Sequence, residues 1–165
     1  YDALMTHPKF KQNFGDAPVE EVSVSTRIFT KKCTERILRA AFEHALQYSD
    51  ERETFGKKLH RHQAIQFMLA DMKTKIEASR LLTWRTAWEA DNGIRNTESA
   101  AHAKRFAADS CMEITTDAVQ IFGGYGYSEE YPVARLMRAA KVLQIYEGSS
   151  QIQRMIIGRE MTRDL

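Results

Sequence analysis

The sequence lacks the features that mark disulfide-bonded, metal-binding or membrane-spanning proteins. Its 165 residues include only two cysteines, Cys33 and Cys111, which are far apart and do not have the spacing of metal ligands. We therefore expect two free thiols and no metal site. No apolar run approaches the ~18 residues of a membrane-spanning helix, so we expect no membrane partner.

An excess of charge of one sign is also absent. Lys and Arg together number 24 against 22 for Asp and Glu, which gives a net charge of +2 with both signs interspersed. A balanced chain of this kind has no basic patch for the phosphates of nucleic acid. We expect no nucleic-acid partner.

Helix-breaking residues are rare, and several of them fall near the start of the chain. The sequence has three prolines and eight glycines, and Pro8, Gly15 and Pro18 lie within residues 1–24, which show no sustained periodicity. We predict an irregular lead-in over residues 1–24 and a single helical domain over residues 25–165. A chain of this length with 43% hydrophobic residues suits one core rather than two.

Apolar residues recur at helical spacing through the rest of the chain. They predict long helices over about residues 26–48, 62–90 and 97–122, and shorter ones over about residues 128–140 and from residue 150 onward. Three long helices joined by short loops are antiparallel neighbours. The sequence therefore predicts an all-α fold, an up-and-down helical bundle.

A carboxylate on a glycine-containing turn precedes the last predicted helix. Ser150 and Gln153 have the spacing of a capping box, so the helix is expected to begin near residue 150 with Glu147 just outside its positive end. Two interpretations of Glu147 are open: a proton acceptor that faces a pocket, or an acid that interacts with the helix dipole. The second is the commoner reason for an acid at this place.

Three further segments combine hydrogen-bonding side chains with glycine or aromatic residues. They are residues 52–57, 62–63 and 120–127. Glycine lets a phosphate or a planar ring approach the backbone, and Arg and Thr supply donors that suit a pyrophosphate. Each segment taken singly also fits an ordinary helix end.

Several motifs in these segments occur together in a recognisable order. They are Glu51-Arg52-Glu53-Thr54-Phe55-Gly56-Lys57, His62-Gln63-Ala64-Ile65, Asp117-Ala118-Val119-Gln120-Ile121-Phe122-Gly123-Gly124, Tyr131-Pro132-Val133, Leu136-Met137-Arg138 and Ile145-Tyr146-Glu147-Gly148-Ser149-Ser150-Gln151-Ile152-Gln153. With them, residues 26–159 resemble the C-terminal helical domain of the acyl-CoA dehydrogenases, and most of all that of the medium-chain branch.

The resemblance implies an FAD enzyme of fatty acid β-oxidation that converts a fatty acyl-CoA thioester to the trans-2-enoyl-CoA. It places Glu147 as the base that removes the α-proton, while the β-hydrogen leaves as hydride to the flavin, and the main-chain N–H of Glu147 is expected to help bind the thioester oxygen. It also implies substrate contacts from Tyr146, Gly148 and Arg27. Some members carry their base at the position of Thr26, which cannot act as one.

The same resemblance implies a set of FAD contacts drawn from the polar, glycine and aromatic residues of these segments. Those expected at the pyrophosphate are Arg52 and Thr54. Those expected near the adenine are Phe55, His62 and Gln63. Those expected to face the same nucleotide from another subunit are Gln120, Gly123 and Gly124. Those expected beside the base are Ser149 and Gln151.

The family builds each FAD site across a subunit interface, so the resemblance implies a homo-oligomer, commonly a tetramer. It further implies electron-transferring flavoprotein as the electron acceptor and the mitochondrial matrix as the location. The sequence itself specifies neither the acceptor nor the acyl chain length.

Two departures from the family pattern bear on activity. Residues 28–36 are bulky and charged where the family has small residues. A complete member also has an N-terminal helical domain and a middle β-domain, which 165 residues cannot contain, so we expect a fragment that is inactive alone. Two alternatives stay open: a non-enzymatic oligomerisation module that retains the motifs, and a domain of the acyl-CoA oxidase type.

Overall fold

Helices dominate the part of the chain that the structure describes, which confirms the all-α fold class. The computed structural model describes residues 31–163 and residue 165, with side chains from residue 36 onward. The predicted lead-in over residues 1–24, and the roles considered for Thr26 and Arg27, lie outside the described residues. The helices are α1 (Lys31–Glu51), α2 (Gln63–Asp91), α3 (Thr97–Phe122), α4 (Gly124–Tyr127), α5 (Pro132–Leu143) and α6 (Ser150–Met161).

The central element of the bundle is α3. Helices α1, α2, α5 and α6 all pack against it, and its buried positions include Cys111, Ile114 and Ala118. Small side chains dominate these positions, which lets several helices approach one axis closely. Burial raises the pKa of the Cys111 thiol to about 12, so this cysteine packs as a small apolar side chain.

The long helix α2 buries only part of its apolar surface. Met72 and Ile76 enter the core, whereas Leu81, Trp84 and Trp88 are exposed on the outer side of the helix. These three side chains recur at steps of three and four, so they form one apolar surface. None of the described helices is long and apolar enough to span a membrane.

The predicted bounds of two helices are confirmed closely, and the predicted start of a third helix is wrong. The helices predicted over residues 62–90 and 97–122 are α2 and α3. The helix predicted from Ser128 begins instead at Pro132, because the Ser128 hydroxyl accepts a hydrogen bond from the Glu130 N–H within a turn at 3.3 Å. Proline suits the first turn of a helix, where its missing N–H is not needed.

A small β-hairpin connects α1 to α2. Its strands β1 (Glu53–Thr54) and β2 (Lys57–Lys58) are antiparallel, with Thr54 opposite Lys57. The two turn residues, Phe55 and Gly56, have φ of 51° and 75°, which is the conformation of a type I′ turn. The hairpin therefore folds the Arg52 region back against the end of α1.

Truncation of a buried methionine should destabilise the protein far more than truncation of an exposed one. The side chain of Met72 is 0% exposed and that of Met155 is 60% exposed. We expect Met72→Ala to lower the free energy of unfolding by about 2–5 kcal/mol, because it leaves a cavity. Met155→Ala should change it by less than about 0.5 kcal/mol. Urea unfolding followed by circular dichroism measures both, and equal losses would contradict the core assignment.

Candidate active site

One cleft lies where the end of α1, the hairpin and the turn between α3 and α4 meet. Its volume is about 490 Å³, and it is lined by Tyr48, Arg52, Thr54, Leu59, Ile121, Phe122, Gly123, Gly124 and Tyr125. Four residues predicted to contact FAD, separated by some seventy positions, thus come together in a single chain. They are Arg52, Thr54, Gly123 and Gly124.

Aromatic rings and a guanidinium group form the wall of this cleft. The rings of Tyr48 and Phe122 stack with centroids 4.1 Å apart, and the Arg52 guanidinium lies 5.9 Å from the centroid of the Tyr125 ring. Burial raises the pKa of Tyr48, an effect that the charge of Arg52 opposes. The Arg52 main chain is fixed because its N–H donates to the Tyr48 oxygen and its C=O accepts from the Leu59 N–H, both at 2.9 Å.

The three glycines after α3 are explained by different features of the structure. Gly123 has φ of 61° and ψ of −139°, a conformation that is essentially restricted to glycine. A Cβ added at Gly123 or Gly124 would meet no atom within 4 Å, so both border open space. A Cβ added at Gly126 would lie 2.6 Å from the Val119 oxygen. Gly126 therefore permits packing, while Gly123 and Gly124 leave the cleft open.

The hairpin tip presents an unusually exposed aromatic ring beside the cleft. Phe55 is 98% exposed, and its ring meets that of His62 edge-on with centroids 6.3 Å apart. The His62 Nε2 atom lies 3.3 Å from the Thr54 hydroxyl oxygen and 3.2 Å from the Thr54 carbonyl oxygen. Gln63, the first residue of α2, and Gln120 of α3 are exposed and do not line the cleft.

The loop between α5 and α6 carries Glu147 in a strained conformation. Glu147 has φ of 54° and is followed by Gly148 with φ of 86°. A positive φ at a residue other than glycine costs about 1–3 kcal/mol and persists only where the surrounding structure imposes it. The Gln153 Nε2 atom donates to the Gly148 carbonyl oxygen at 3.1 Å, which ties the loop to α6.

The predicted capping box at Ser150 and Gln153 is wrong. Ser149 is the N-cap of α6, and its hydroxyl accepts a hydrogen bond from the Ile152 N–H at 3.4 Å. The Ser150 hydroxyl donates instead to Asp109 Oδ1 at 2.7 Å. The capping oxygen belongs to the residue before the helix, which is Ser149; Ser150 is already the first helical residue, and its hydroxyl donates to Asp109.

Asp109 of α3 holds this loop, and sequence reasoning missed it. Its Oδ1 atom accepts hydrogen bonds from Gln144 Nε2 at 2.8 Å and from the Ser150 hydroxyl. Its Oδ2 atom lies 3.4 Å from Arg154 Nη2 and 3.7 Å from Arg105 Nε. The sequence gives little signal for Asp109, because it is one of several acids on α3 and its loop partners, Gln144 and Ser150, are far along the chain.

Lys104, also on α3 and also missed, contacts the beginning of the same loop. Its ammonium group donates a hydrogen bond to the Leu143 carbonyl oxygen and lies 5.7 Å from the centroid of the Tyr146 ring. Burial lowers the pKa of Lys104, and the charges of Asp109 and Glu147 oppose that shift. The base candidate thus interacts with a partly buried cation.

A second cleft opens beside this loop, well separated from the first. Its volume is about 310 Å³, and its lining includes Asp109, Gln144, Ser149 and Gln151. Because Asp109 and Phe122 lie on one helix that rises 1.5 Å per residue, the two regions are about 20 Å apart. The predicted site residues therefore form two groups at separate places on one chain.

The described residues contain no group of three or more His, Cys, Asp or Glu side chains that could hold a metal ion. The chemistry that they offer is that of a carboxylate in one region and of a cationic, glycine-lined cleft in the other.

The family model for the acyl-CoA dehydrogenase C-terminal domain matches residues 25–162.

The chain belongs to the acyl-CoA dehydrogenase family.

Two bacterial acyl-CoA dehydrogenases illustrate the relationship. Cyclohexane-1-carbonyl-CoA dehydrogenase of Geobacter metallireducens is 52% identical over 128 residues, which cover 78% of this chain and 34% of that protein. The short-chain specific acyl-CoA dehydrogenase of Megasphaera elsdenii is 54% identical over 127 residues, which cover 77% and 33%. The chain thus spans about a third of the length of these acyl-CoA dehydrogenases.

Solved structures agree with the family assignment. Butyryl-CoA dehydrogenase from Megasphaera elsdenii matches with a TM-score of 0.75 and 52% identity, over 78% of this chain and 33% of that one. A structure described as electron transferring flavoprotein of Acidaminococcus fermentans matches with a TM-score of 0.77 and 51% identity, over 79% and 34%. An FAD complex of PigA matches with a TM-score of 0.75 and 28% identity, over 78% and 33%.

The location expected for this acyl-CoA dehydrogenase domain, the mitochondrial matrix, is wrong. The similar proteins come from Geobacter, Megasphaera, Mycobacterium and Acidaminococcus. These are bacteria and have no mitochondria.

Adding a methyl group should destabilise this acyl-CoA dehydrogenase domain at Gly126 but not at Gly124. We expect Gly126→Ala to lower the free energy of unfolding by about 1–3 kcal/mol, because the new Cβ overlaps the α3 backbone. Gly124→Ala, which faces open space without a positive φ, should change it by less than about 0.5 kcal/mol. Urea unfolding of the two variants is the measurement. A larger loss for Gly124→Ala would contradict the packing role of Gly126.

Proposed function

We propose that this chain is the C-terminal domain of an FAD-dependent acyl-CoA dehydrogenase in which Glu147 removes the α-proton of a fatty acyl-CoA. The thioester is converted to the trans-2-enoyl-CoA. The observation that carries the proposal is the backbone of Glu147, whose φ of 54° is kept on a loop tied to α3 and α6. Strain retained at one acidic residue favours a functional role over a dipole role.

The chemistry explains why the base must be held in place. A carbon next to a thioester is a weak acid, so the carboxylate has to be aligned with the α-proton. The negative charge that develops on the thioester oxygen as the proton leaves also has to be stabilised. Glu147 lies between Tyr146, which supplies an aromatic face, and Gly148, where an added Cβ would lie 2.5 Å from the Gln153 Nε2 atom. We propose that Tyr146 and Gly148 border the acyl chain, and that the Glu147 N–H binds the thioester oxygen.

The first cleft fits part of an FAD molecule. Arg52 and Thr54 supply a guanidinium group and a hydroxyl, and Gly123 and Gly124 leave room for a phosphate at the backbone. The exposed Phe55 ring, with His62 beside it, suits contact with the adenine. When bound, FAD supplies the acceptor for the β-hydrogen, which leaves as hydride.

The separation of the two regions supports a site shared between subunits. The segment that carries Glu147, Ser149 and Gln151 is bonded to Asp109, which lies about 20 Å along α3 from Phe122 of the Arg52 cleft. We propose a homo-oligomer, a tetramer by analogy with the family, in which the Arg52 cleft of one subunit and the Glu147 loop of another meet the same FAD. This division differs from the one that the resemblance implies, because Gly123 and Gly124 line the Arg52 cleft of the same chain. The exposed side chains of Leu81, Trp84 and Trp88 supply apolar surface for such assembly.

The same apolar surface on α2 favours a second candidate function. A bundle that only assembles subunits, without catalysis, would need this surface and not Glu147. For the enzyme, we propose electron-transferring flavoprotein as the acceptor, by analogy with the family. Electron transfer to oxygen, as in an acyl-CoA oxidase, would release peroxide from the full-length enzyme instead.

Replacement of the proposed base should stop turnover without removing the cofactor. In the full-length enzyme that carries this domain, we expect Glu147→Gln to lower kcat by about 10²- to 10⁴-fold, because the amide cannot accept the α-proton. Visible flavin absorbance per chain should stay unchanged. Glu129→Gln, at an exposed acid in the turn before α5, is the matched control and should leave kcat unchanged. Full activity of Glu147→Gln would overturn the assignment of the base.

The 165-residue chain alone should be inactive. Its clefts contact only part of an FAD and part of a substrate, so binding would not offset the loss of translational and rotational freedom. We expect no enoyl-CoA by mass spectrometry and no saturable FAD uptake in a fluorescence titration. Turnover with one flavin per chain would refute this expectation. A defined oligomer in light scattering, with a full-length form that also fails to bind FAD, would favour the assembly module.

A further inference from the structure

We propose that Asp109 is a positioning residue for the base: it fixes, from α3, the loop conformation that presents Glu147. The proposal rests on the proposed function, in which Glu147 removes the α-proton. Asp109 belongs to none of the motifs that carry the family resemblance. It acts through Gln144 and Ser150, the two residues that flank the loop.

One carboxylate oxygen joins the two ends of the loop. Asp109 Oδ1 accepts a hydrogen bond from Gln144 Nε2 at 2.8 Å and another from the Ser150 hydroxyl at 2.7 Å. The same two residues are joined through their main chains, since the Ser150 N–H donates to the Gln144 oxygen at 3.1 Å. The loop is therefore closed twice, once by its own backbone and once by a side chain of the central helix.

The orientation of the carboxylate is itself fixed. Its second oxygen faces Arg154 at 3.4 Å and Arg105 at 3.7 Å, and the group is partly buried. Hydrogen bonds to an ionised acceptor are about twice as strong as those between neutral groups. The two arginines thus compensate the charge and direct the other oxygen toward the loop.

The closed loop is what keeps Glu147 in its unfavourable conformation. Glu147 lies midway between Gln144 and Ser150, and its positive φ is sparsely populated by residues other than glycine. With the ends released, the loop would relax toward commoner backbone conformations and the carboxylate would leave its position. Lys104 holds the beginning of the loop through the Leu143 oxygen, but Asp109 alone of the two bonds to Ser150 at its end.

Hydrogen exchange of the full 165-residue chain tests the structural step. We expect Asp109→Leu, which accepts no hydrogen bond, to speed exchange of the amides of residues 145–150 by about tenfold or more. Asp109→Asn should give a smaller increase, because its amide oxygen still accepts from Gln144 and Ser150. Glu113→Gln, at an acid of α3 that pairs with Lys75, should change none of these amides. The buried amides of α2 and α3 should keep their rates in every variant.

Two outcomes would overturn this step. One is unchanged exchange of residues 145–150 in Asp109→Leu, and the other is an equal increase throughout α2 and α3. Should Asp109→Leu fail to fold, Gln144→Leu and Ser150→Ala remove the two donors from the loop side. Each should speed loop exchange by about threefold or more, and unchanged rates in both would overturn the proposal.

Kinetics of the full-length enzyme test the positioning of the base. We expect Asp109→Leu to lower kcat about tenfold to a hundredfold with the KM for acyl-CoA within about twofold and the flavin content unchanged. Asp109→Asn should recover most of the loss. Unchanged kcat, or a loss confined to KM, would overturn the positioning role. Full activity of Glu147→Gln would instead refute the proposed function, whatever the exchange rates of the Asp109 variants.

Discussion

The structure depends on the packing of four helices against α3. Small buried side chains along α3 allow α1, α2, α5 and α6 to approach the same axis. The position of each of these helices is therefore set by its packing against α3. The two candidate site regions, each called a half-site below, are attached to different parts of α3: the Glu147 loop is attached near Asp109, and the Arg52 cleft at the glycine turn of Gly123. Their separation of about 20 Å is a consequence of helix geometry, because the rise per residue is fixed.

A central helix that is apolar throughout would pack as well, yet α3 carries Lys104 and Asp109 at partly buried positions. A partly buried charge is costly unless it is paired and hydrogen-bonded, and both residues find their partners in the loop before α6 or in arginines beside it. The cost of taking these charges out of water is therefore offset only when the loop has its observed conformation. This is how a packing requirement in the core becomes a conformational requirement at the Glu147 loop.

Local patterns in the sequence predict what is local in the structure. The periodicity of α2 and α3 gives their bounds almost to the residue, and the glycine turn before α6 directs attention to Glu147. The start of α5 was missed because Ser128 and Pro132 are both residues that favour the beginning of a helix, and Ser128 forms a turn instead. The hairpin at Phe55 was missed because its strands are too short to show a period, and Asp109 because Gln144 and Ser150 are distant along the chain.

Backbone strain links the two half-sites. Within the described part of the chain, the residues other than glycine with a positive φ are Phe55 and Glu147, and each is followed directly by a glycine that also has a positive φ. At Phe55 the hairpin register imposes the conformation, and at Glu147 the closed loop does. Most other side chains at these positions would be equally strained, so backbone stability does not explain a phenylalanine or a glutamate there. An exposed ring in one region and a carboxylate in the other are what a ligand shared between subunits would contact.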